Sequence, residues 1–348
     1  MNETLISVIY DGINNSVFEG QVLQPLRKKA QQYRIKKIVI ISFEYKTVSE
    51  VTRNKILSLT PNIELIILKK FTFLGTWSLL PAIYKLKKVL NYFKHYKLFA
   101  RGPFASFTCA AALDKTYCSS FVMQARGLAA DEYLYSKKKE KNHLKKLIYW
   151  YRIKQLRSLE KKAYQNPIGT IESVSSALQQ YLINTLEIQK KRITVAQDDI
   201  PKKFEPAQVA LWKREVRTQL HIKPSDHVYC FNGSAKPWQC PDDVVQFFLK
   251  QYTQNRNCFL LVLTQDVATF QKLIKLYVIP EQSYCVLHVP HEDMYRYLSA
   301  CDTGLIFREQ HIINWIARPT KVLEYQAVGL NIAHNNTVEM LMQKKSKN

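Results

Sequence analysis

"AQDDIPKKFEPAQ" (residues 196–208) decides how the chain divides. The stretch is polar, carries two prolines and interrupts an otherwise regular rhythm of strand-like and helix-like runs. Before it, the runs Leu5–Tyr10, Lys37–Phe43, Ile63–Leu68, Lys97–Arg101, Ser120–Gln124, Gly169–Val174 and Ile193–Ala196 read as strands. Helical segments stand between them, including Val17–Tyr33, Trp77–Tyr96 and Lys141–Tyr164. After it, Val228–Phe231, Phe259–Leu263, Cys285–Val289, Gly304–Phe307 and Asn331–His334 read as strands. The helices there lie near Asp242–Tyr252, Val267–Leu276, Glu292–Ala300 and Pro319–Val328.

Continuous apolar strands separated by helices of this size imply parallel sheets covered on both faces. The sequence therefore predicts two doubly wound α/β domains, residues 1–200 and 201–348. Ligands of such sheets bind beyond the carboxyl ends of the strands, and a site shared by two such domains is a cleft.

The 348 residues suffice for two cores, and 47% of them are hydrophobic, which excludes a disordered chain. The formal charge of +23 predicts attraction to polyanions and says nothing about fold. The opening "MNETLISVIYDG" lacks the basic lead and cleavage site of a signal peptide, so a cytoplasmic protein is expected. Its apolar runs, such as "FLLVLT" (259–264), are far below membrane-spanning length. The seven cysteines form no CxxC pair and mostly lie in apolar runs. They read as free thiols of a reducing compartment, with neither zinc nor a disulfide framework indicated.

The clearest candidate site is "ARPTKVLEYQAVG" (317–329). Pro319 can open a helix and Gly329 can close it. Thr320 and Lys321 then fall in the first turn, where a cation opposes the helix dipole. A bound phosphate resolves that conflict, because the helix mouth offers unpaired N–H groups. Glu324, near the mouth, can accept hydrogen bonds from paired sugar hydroxyls. The competing reading makes Lys321 and Glu324 an ordinary i,i+3 surface pair. Arg308 and Glu309 end the preceding strand.

A second candidate is "YCFNGSAKPWQCPDD" (229–243), where a strand runs into Gly233, Ser234 and Lys236, a plausible phosphate loop. Trp238 either stacks on a base or caps the core. In the first half, Gly12, Asn14 and Asn15 make a loop at the end of the first strand, and Ser16 with Glu19 fits a capping box. Arg126, Asp131 and Glu132 cluster in "QARGLAADEY" (124–133), with a surface salt bridge as the ordinary explanation.

The segment "KKKEKNHLKKLIYWYRIKQLRSLEKK" (137–162) carries eleven Lys/Arg and two Glu. Leu144, Leu147, Ile148 and Tyr151 form one helical stripe within it, and "YKLKKVLNYFKHYK" (84–97) has the same mixture. Such helices favour an anionic membrane surface. A solvated face packing on its own domain is the alternative.

With the motifs "SVFEGQVLQPL", "ARGLAADEY", "SVSSALQQYL", "YCFNGSAKPWQ", "ACDTGLIFRE" and "RPTKVLEYQAVGL", the chain resembles a family-4-type glycosyltransferase of the GT-B fold. The resemblance is to the bacterial capsule and O-antigen sort and runs from about Ser7 to Leu341. It implies two Rossmann-like domains facing a cleft, with a sugar nucleotide as donor substrate and no cofactor or metal. The donor would be held by the C-terminal domain, with Thr320 and Lys321 facing the diphosphate, Glu324 binding the ribose, and Gly233 and Ser234 beside them. Lys236 and Arg308 would be catalytic groups beside the departing diphosphate, and Glu309, a third catalytic candidate, would contact the donor sugar. A glycan or lipid-linked acceptor would lie near Gly12, Ser16, Arg126 and Glu132. Anomeric configuration would be retained, and the enzyme would work at the inner face of the cell membrane in surface-polysaccharide or lipopolysaccharide synthesis.

Several residues depart from the family pattern. Ile316 stands where the partner of the ribose glutamate is usual, and Gln124 where an aspartate often precedes "RG". Ser234 and Lys236 replace an Arg and Lys that follow the glycine in another register. Only seven residues follow Leu341, so the C-terminal end reads as short for this fold. A homologue with impaired catalysis is thus one alternative. A basic nucleic-acid-binding protein is another, although no zinc finger, RNP-type motif or recognition helix is written in the chain.

Overall fold

The computed structural model describes residues 3–13, 18–59, 62–138, 140–197 and 201–342. The chain forms two compact units, Met1–Asp199 and Ile200–Asn348. In the first, seven strands form one parallel sheet: β1 (Thr4–Ile9), β2 (Lys37–Glu44), β3 (Ile63–Lys69), β4 (Tyr96–Arg101), β5 (Cys118–Ala125), β6 (Thr170–Ser173) and β7 (Ile193–Val195). Its helices are α1 (Gln24–Gln32), α2 (Glu50–Leu59), α3 (Leu80–Leu90), α4 (Gly102–Ala112), α5 (Ala129–Ser136), α6 (His143–Tyr164) and α7 (Ser176–Leu186).

The second unit has a five-stranded parallel sheet of β8 (His227–Asn232), β9 (Cys258–Leu263), β10 (Tyr284–Leu287), β11 (Thr303–Ile306) and β12 (Asn331–His334). Around it are α8 (Pro206–Gln219), α9 (Pro241–Gln254), α10 (Val267–Leu276), α11 (Met294–Ser299), α12 (Ile312–Trp315), α13 (Thr320–Ala327) and α14 (Glu339–Met342). The predicted strands are all present, and both sheets are parallel as expected.

Burial on two faces explains why these strands read as unbroken apolar runs. In β9, Leu261 and Leu263 pack into one core with Val322 and Tyr325, while Leu260 and Val262 pack into the other with Phe248 and Phe270. Each such side chain contributes about 1.5–3 kcal/mol by leaving water. The strand orders are β3-β2-β1-β4-β5-β6-β7 and β10-β9-β8-β11-β12. The strand order of each parallel sheet therefore reverses once, between β1 and β4 and between β8 and β11. A crevice forms at such a reversal because the flanking connections leave to opposite faces.

Three predicted helices need correction, among them Glu292–Ala300, which is a 3₁₀ turn, His291–Asp293, followed by α11. Val17–Tyr33 is a π-helical turn, Glu19–Leu23, followed by α1, and Val17 lies outside the described residues. Trp77–Tyr96 is a 3₁₀ turn, Thr76–Leu79, followed by α3. Asn91 caps α3, and Tyr96 instead begins β4, where its buried ring serves the sheet. Among the described residues, no helix is long and apolar enough to cross a membrane. All seven cysteines are free thiols.

Candidate functional site

The second unit's reversal is shaped by one aromatic ring. β8 and β11 pair only at Thr303 with Tyr229 and Gly304 with Cys230. Beyond that point Tyr325 of α13 fills the gap. Its hydroxyl accepts from the Asn232 N–H at 3.0 Å and lies 3.4 Å from the Cys230 carbonyl. A Cβ on Gly304 would sit 2.2 Å from the ring, so only glycine leaves room for it. Tyr325 thereby satisfies a strand end that β11 no longer pairs.

One turn earlier on α13, Lys321 is buried. Its Nζ donates to Gln239 Oε1 at 2.6 Å and lies 4.1 Å from the Phe231 ring centroid. Burial first, then the nearby Arg308 cation, push this lysine down to about 7, while Glu324 draws it the other way. The surface-pair reading of Lys321 and Glu324 is therefore overturned. Glu324 is itself held, its Oε2 accepting from Asn232 Nδ2 at 2.7 Å. Thr320 is exposed at the helix mouth, and no side chain caps α13.

The loop after β8 closes over this lysine. Ala235 N–H donates to Asp266 at 2.7 Å, and Gln239 Nε2 donates to Ser234 Oγ at 3.0 Å. A Cβ on Gly233 would fall 2.6 Å from both Gln239 Oε1 and Lys321 Nζ. Lys236 is exposed, with its Nζ 5.1 Å from the centroid of Trp238, a half-buried ring. Arg308 donates to Asn314 Oδ1 at 3.2 Å, and burial lowers its pKa. Asn314 in turn donates to the Glu309 carbonyl at 2.8 Å. Ile316 is buried in the core, so no carboxylate stands at that position.

The structure thus brings Gly233, Ser234, Lys321, Glu324 and Arg308 to one end of the sheet and leaves Lys236 at its rim. Sequence reading missed Gln239, Asp266 and Tyr325. Asp266 had a legible signal, a carboxylate just beyond a strand end; the other two are recognisable only once the chain is folded.

In the first unit, Gly12 has φ +88° and a Cβ there would meet Glu44 Oε2 at 2.8 Å, which requires glycine. Glu44 accepts from Ile13 N–H at 2.8 Å and from Ser42 Oγ at 2.6 Å. Lys70 donates to the Tyr10 carbonyl, and burial lowers its pKa against the pull of Glu44 and Asp11. Arg101, at the end of β4, reaches Asp11 at 3.5 Å and Gln21 Oε1 at 2.8 Å. Arg126 faces Glu172 at 3.7 Å, and Asp131 faces Arg157 at 3.9 Å, so these charges serve different partners from a shared surface salt bridge. Burial of its carboxyl, then Asp11 and Asp131, push Glu132 up to about 7, although the residue as a whole is exposed along an open edge. That open edge softens the effect; its direction, a proton held to higher pH than usual, stands. Gln124 donates to Glu172 at 2.7 Å, and the same carboxylate takes Lys29 at 2.8 Å. Ser16 and the loop residues Asn14 and Asn15 lie outside the described residues.

No protein-family model matches this sequence, and no curated protein matches it either. Solved structures do match in shape. WaaG, a glycosyltransferase involved in lipopolysaccharide biosynthesis, is 13% identical, with a TM-score of 0.64 over 98% of this chain and 83% of that one. A glycosyltransferase from Rickettsia africae ESF-5 is 12% identical, with a TM-score of 0.62 over 100% of this chain and 82% of that one. A putative UDP-N-acetylglucosamine 2-epimerase from Listeria monocytogenes is 10% identical, with a TM-score of 0.58 over 99% and 82%. The fold is accordingly the GT-B fold of glycosyltransferases, and since an epimerase shares it, the reaction has to be argued from the residues.

Proposed function

We propose that this chain is a glycosyltransferase that takes its sugar from a nucleotide-sugar held by the second unit. The observation that carries the reading is Lys321, a buried lysine at a helix mouth, at a sheet reversal, with Arg308 as a neighbouring cation. Two basic side chains shielded from bulk water beside a helix N-terminus form an anion site. Glu324, fixed by Asn232, supplies a carboxylate for the ribose hydroxyls. As the bond from sugar to diphosphate breaks, negative charge grows on the leaving oxygens, and Lys321, Arg308 and the mouth of α13 stabilise it. Lys236 at the rim is a further cation assigned to this step, and Glu309 beyond β11 is assigned to the donor sugar. The family resemblance supports retention of configuration, independence from metal and a role in surface-polysaccharide or lipopolysaccharide synthesis.

The first unit is assigned the acceptor, a glycan or lipid-linked sugar, on Gly12, Ser16, Arg126 and Glu132. A membrane-peripheral setting fits its surface. Leu144, Leu147, Ile148, Trp150 and Tyr151 of α6 are each at least 50% exposed, so this stripe does not pack on its own domain. Trp77, Leu80 and Tyr84 are at least 61% exposed, and Lys162 bonds Thr76 beside them. Lys154 lies 3.7 Å over the Trp150 ring. Aromatic and apolar residues ringed by lysines suit an anionic lipid surface, which explains the charge without invoking nucleic acid.

Buried Ile316 favours a second reading, a homologue with weak or lost transfer that still binds its donor. Thermal-shift screening against nucleoside diphosphates and their sugars tests the donor site. Stabilisation by one base series supports it, and no stabilisation by any of them counts against it. Release of nucleoside diphosphate from the stabilising sugar nucleotide then separates an active enzyme from an inactive one.

A further inference from the structure

We propose that Gln239 is a resident stand-in for the donor's diphosphate: its amide oxygen holds Lys321 in the unliganded protein and is displaced when the phosphate arrives. This rests on the donor site proposed above and adds a residue that sets how tightly that site binds.

Three observations lead to it. First, Gln239 Oε1 sits 2.6 Å from Lys321 Nζ, the distance of a phosphate oxygen on a lysine. Second, that oxygen lies in the concavity above Gly233, 2.6 Å from where a Cβ would stand. A glycine leaves such a space when something must approach the backbone closely, and here the glutamine amide fills it. Third, the amide has a place of its own, because Nε2 donates to Ser234 Oγ at 3.0 Å. Ser234 is a rotatable hydroxyl, and Gln239 ends a three-residue 3₁₀ turn, Pro237–Gln239, so the side chain can leave without unravelling an element.

The exchange is favourable on charge. An ammonium offers three donors, and a neutral amide oxygen plus an aromatic face serve it incompletely. An anionic oxygen makes a charge-assisted bond roughly twice as strong as a neutral one. Binding must nevertheless break the Gln239 contact, so the glutamine weakens affinity. A ligand role predicts the opposite, with Gln239 staying in place and donating Nε2 to the phosphate.

Calorimetric titration of the full chain with inorganic pyrophosphate and a panel of nucleoside diphosphates separates these. Gln239→Ala should bind about three- to tenfold more tightly than the wild type, the loss of one competing hydrogen bond. Gln239→Glu should bind at least about tenfold more weakly, because its carboxylate would pair with Lys321 directly. In a Lys321→Met background the gain from Gln239→Ala should vanish. Unchanged or weaker binding by Gln239→Ala, with a normal unfolding transition, overturns the stand-in while leaving the donor site intact. Absence of binding by wild type and all variants overturns both.

Discussion

Lys321 Nζ and Gln239 Oε1 lie 2.6 Å apart, although 82 residues separate them along the chain. This contact joins the mouth of α13 to the loop after β8 and makes the site a single object. It also holds the lysine in a poorly hydrated place, where its charge is costly.

Donor binding should therefore take up a proton near neutrality. Lys321 is pushed down to about 7, mainly by burial, and an incoming diphosphate favours its charged form. Well below that pH the ammonium already exists and affinity is flat. As pH rises through about 7 the free protein loses the proton, and affinity should fall by up to about tenfold per unit. Titrating a nucleotide-sugar in buffers of different ionisation enthalpy reads the uptake directly. The same affinity at about pH 6 and about pH 8.5 would argue against Lys321 as the phosphate contact.

Glu324 should distinguish nucleoside from phosphate. Glu324→Ala is expected to weaken a nucleoside diphosphate by at least about tenfold more than it weakens inorganic pyrophosphate. Equal losses for both ligands would mean that the carboxylate merely supports Asn232.

Gly304→Ala should disturb the site through the core. The added methyl would stand 2.2 Å from the Tyr325 ring, which has to move and so releases the Asn232 N–H. Overpacking of this kind costs about 1–3 kcal/mol, visible as an earlier unfolding transition of the variant. Unaltered stability would show that Tyr325 has room to relax.

The exposed stripe of α6 predicts lipid binding. Wild type should float with phosphatidylserine vesicles and detach as salt rises, since each lysine near the surface contributes about 1 kcal/mol. Leu147→Glu with Ile148→Glu should abolish flotation and leave the fold intact. If that variant floats normally, or if duplex DNA is retained at salt that releases vesicles, the surface belongs to another partner.

How far the sequence reached depended on which physics was local. The β9 segment "CFLLVL" is a strand in any context that buries both faces, so its place in a parallel sheet was legible. Lys321 was legible as an oddity because a cation at a helix mouth conflicts with the dipole in a single turn of chain. Its burial was not, since that depends on Phe231, Gln239 and Arg308, which come from distant loops. Gln239 looked like any polar turn residue. Gly304 looked like a strand glycine, and only Tyr325 folded against it gives the reason. In the first unit, Arg126 and Glu132 were found together by proximity in sequence, yet the fold turns Arg126 toward Glu172, which lies on the neighbouring strand.

The central claim is that the β8–β11 reversal holds the diphosphate of a nucleotide-sugar. Calorimetric titration of a nucleoside diphosphate panel into wild type and Lys321→Met tests it most directly. One nucleoside diphosphate should bind the wild type, and Lys321→Met should lose at least about tenfold of that affinity. Binding that Lys321→Met leaves unchanged, or no binding by any member of the panel, would contradict it.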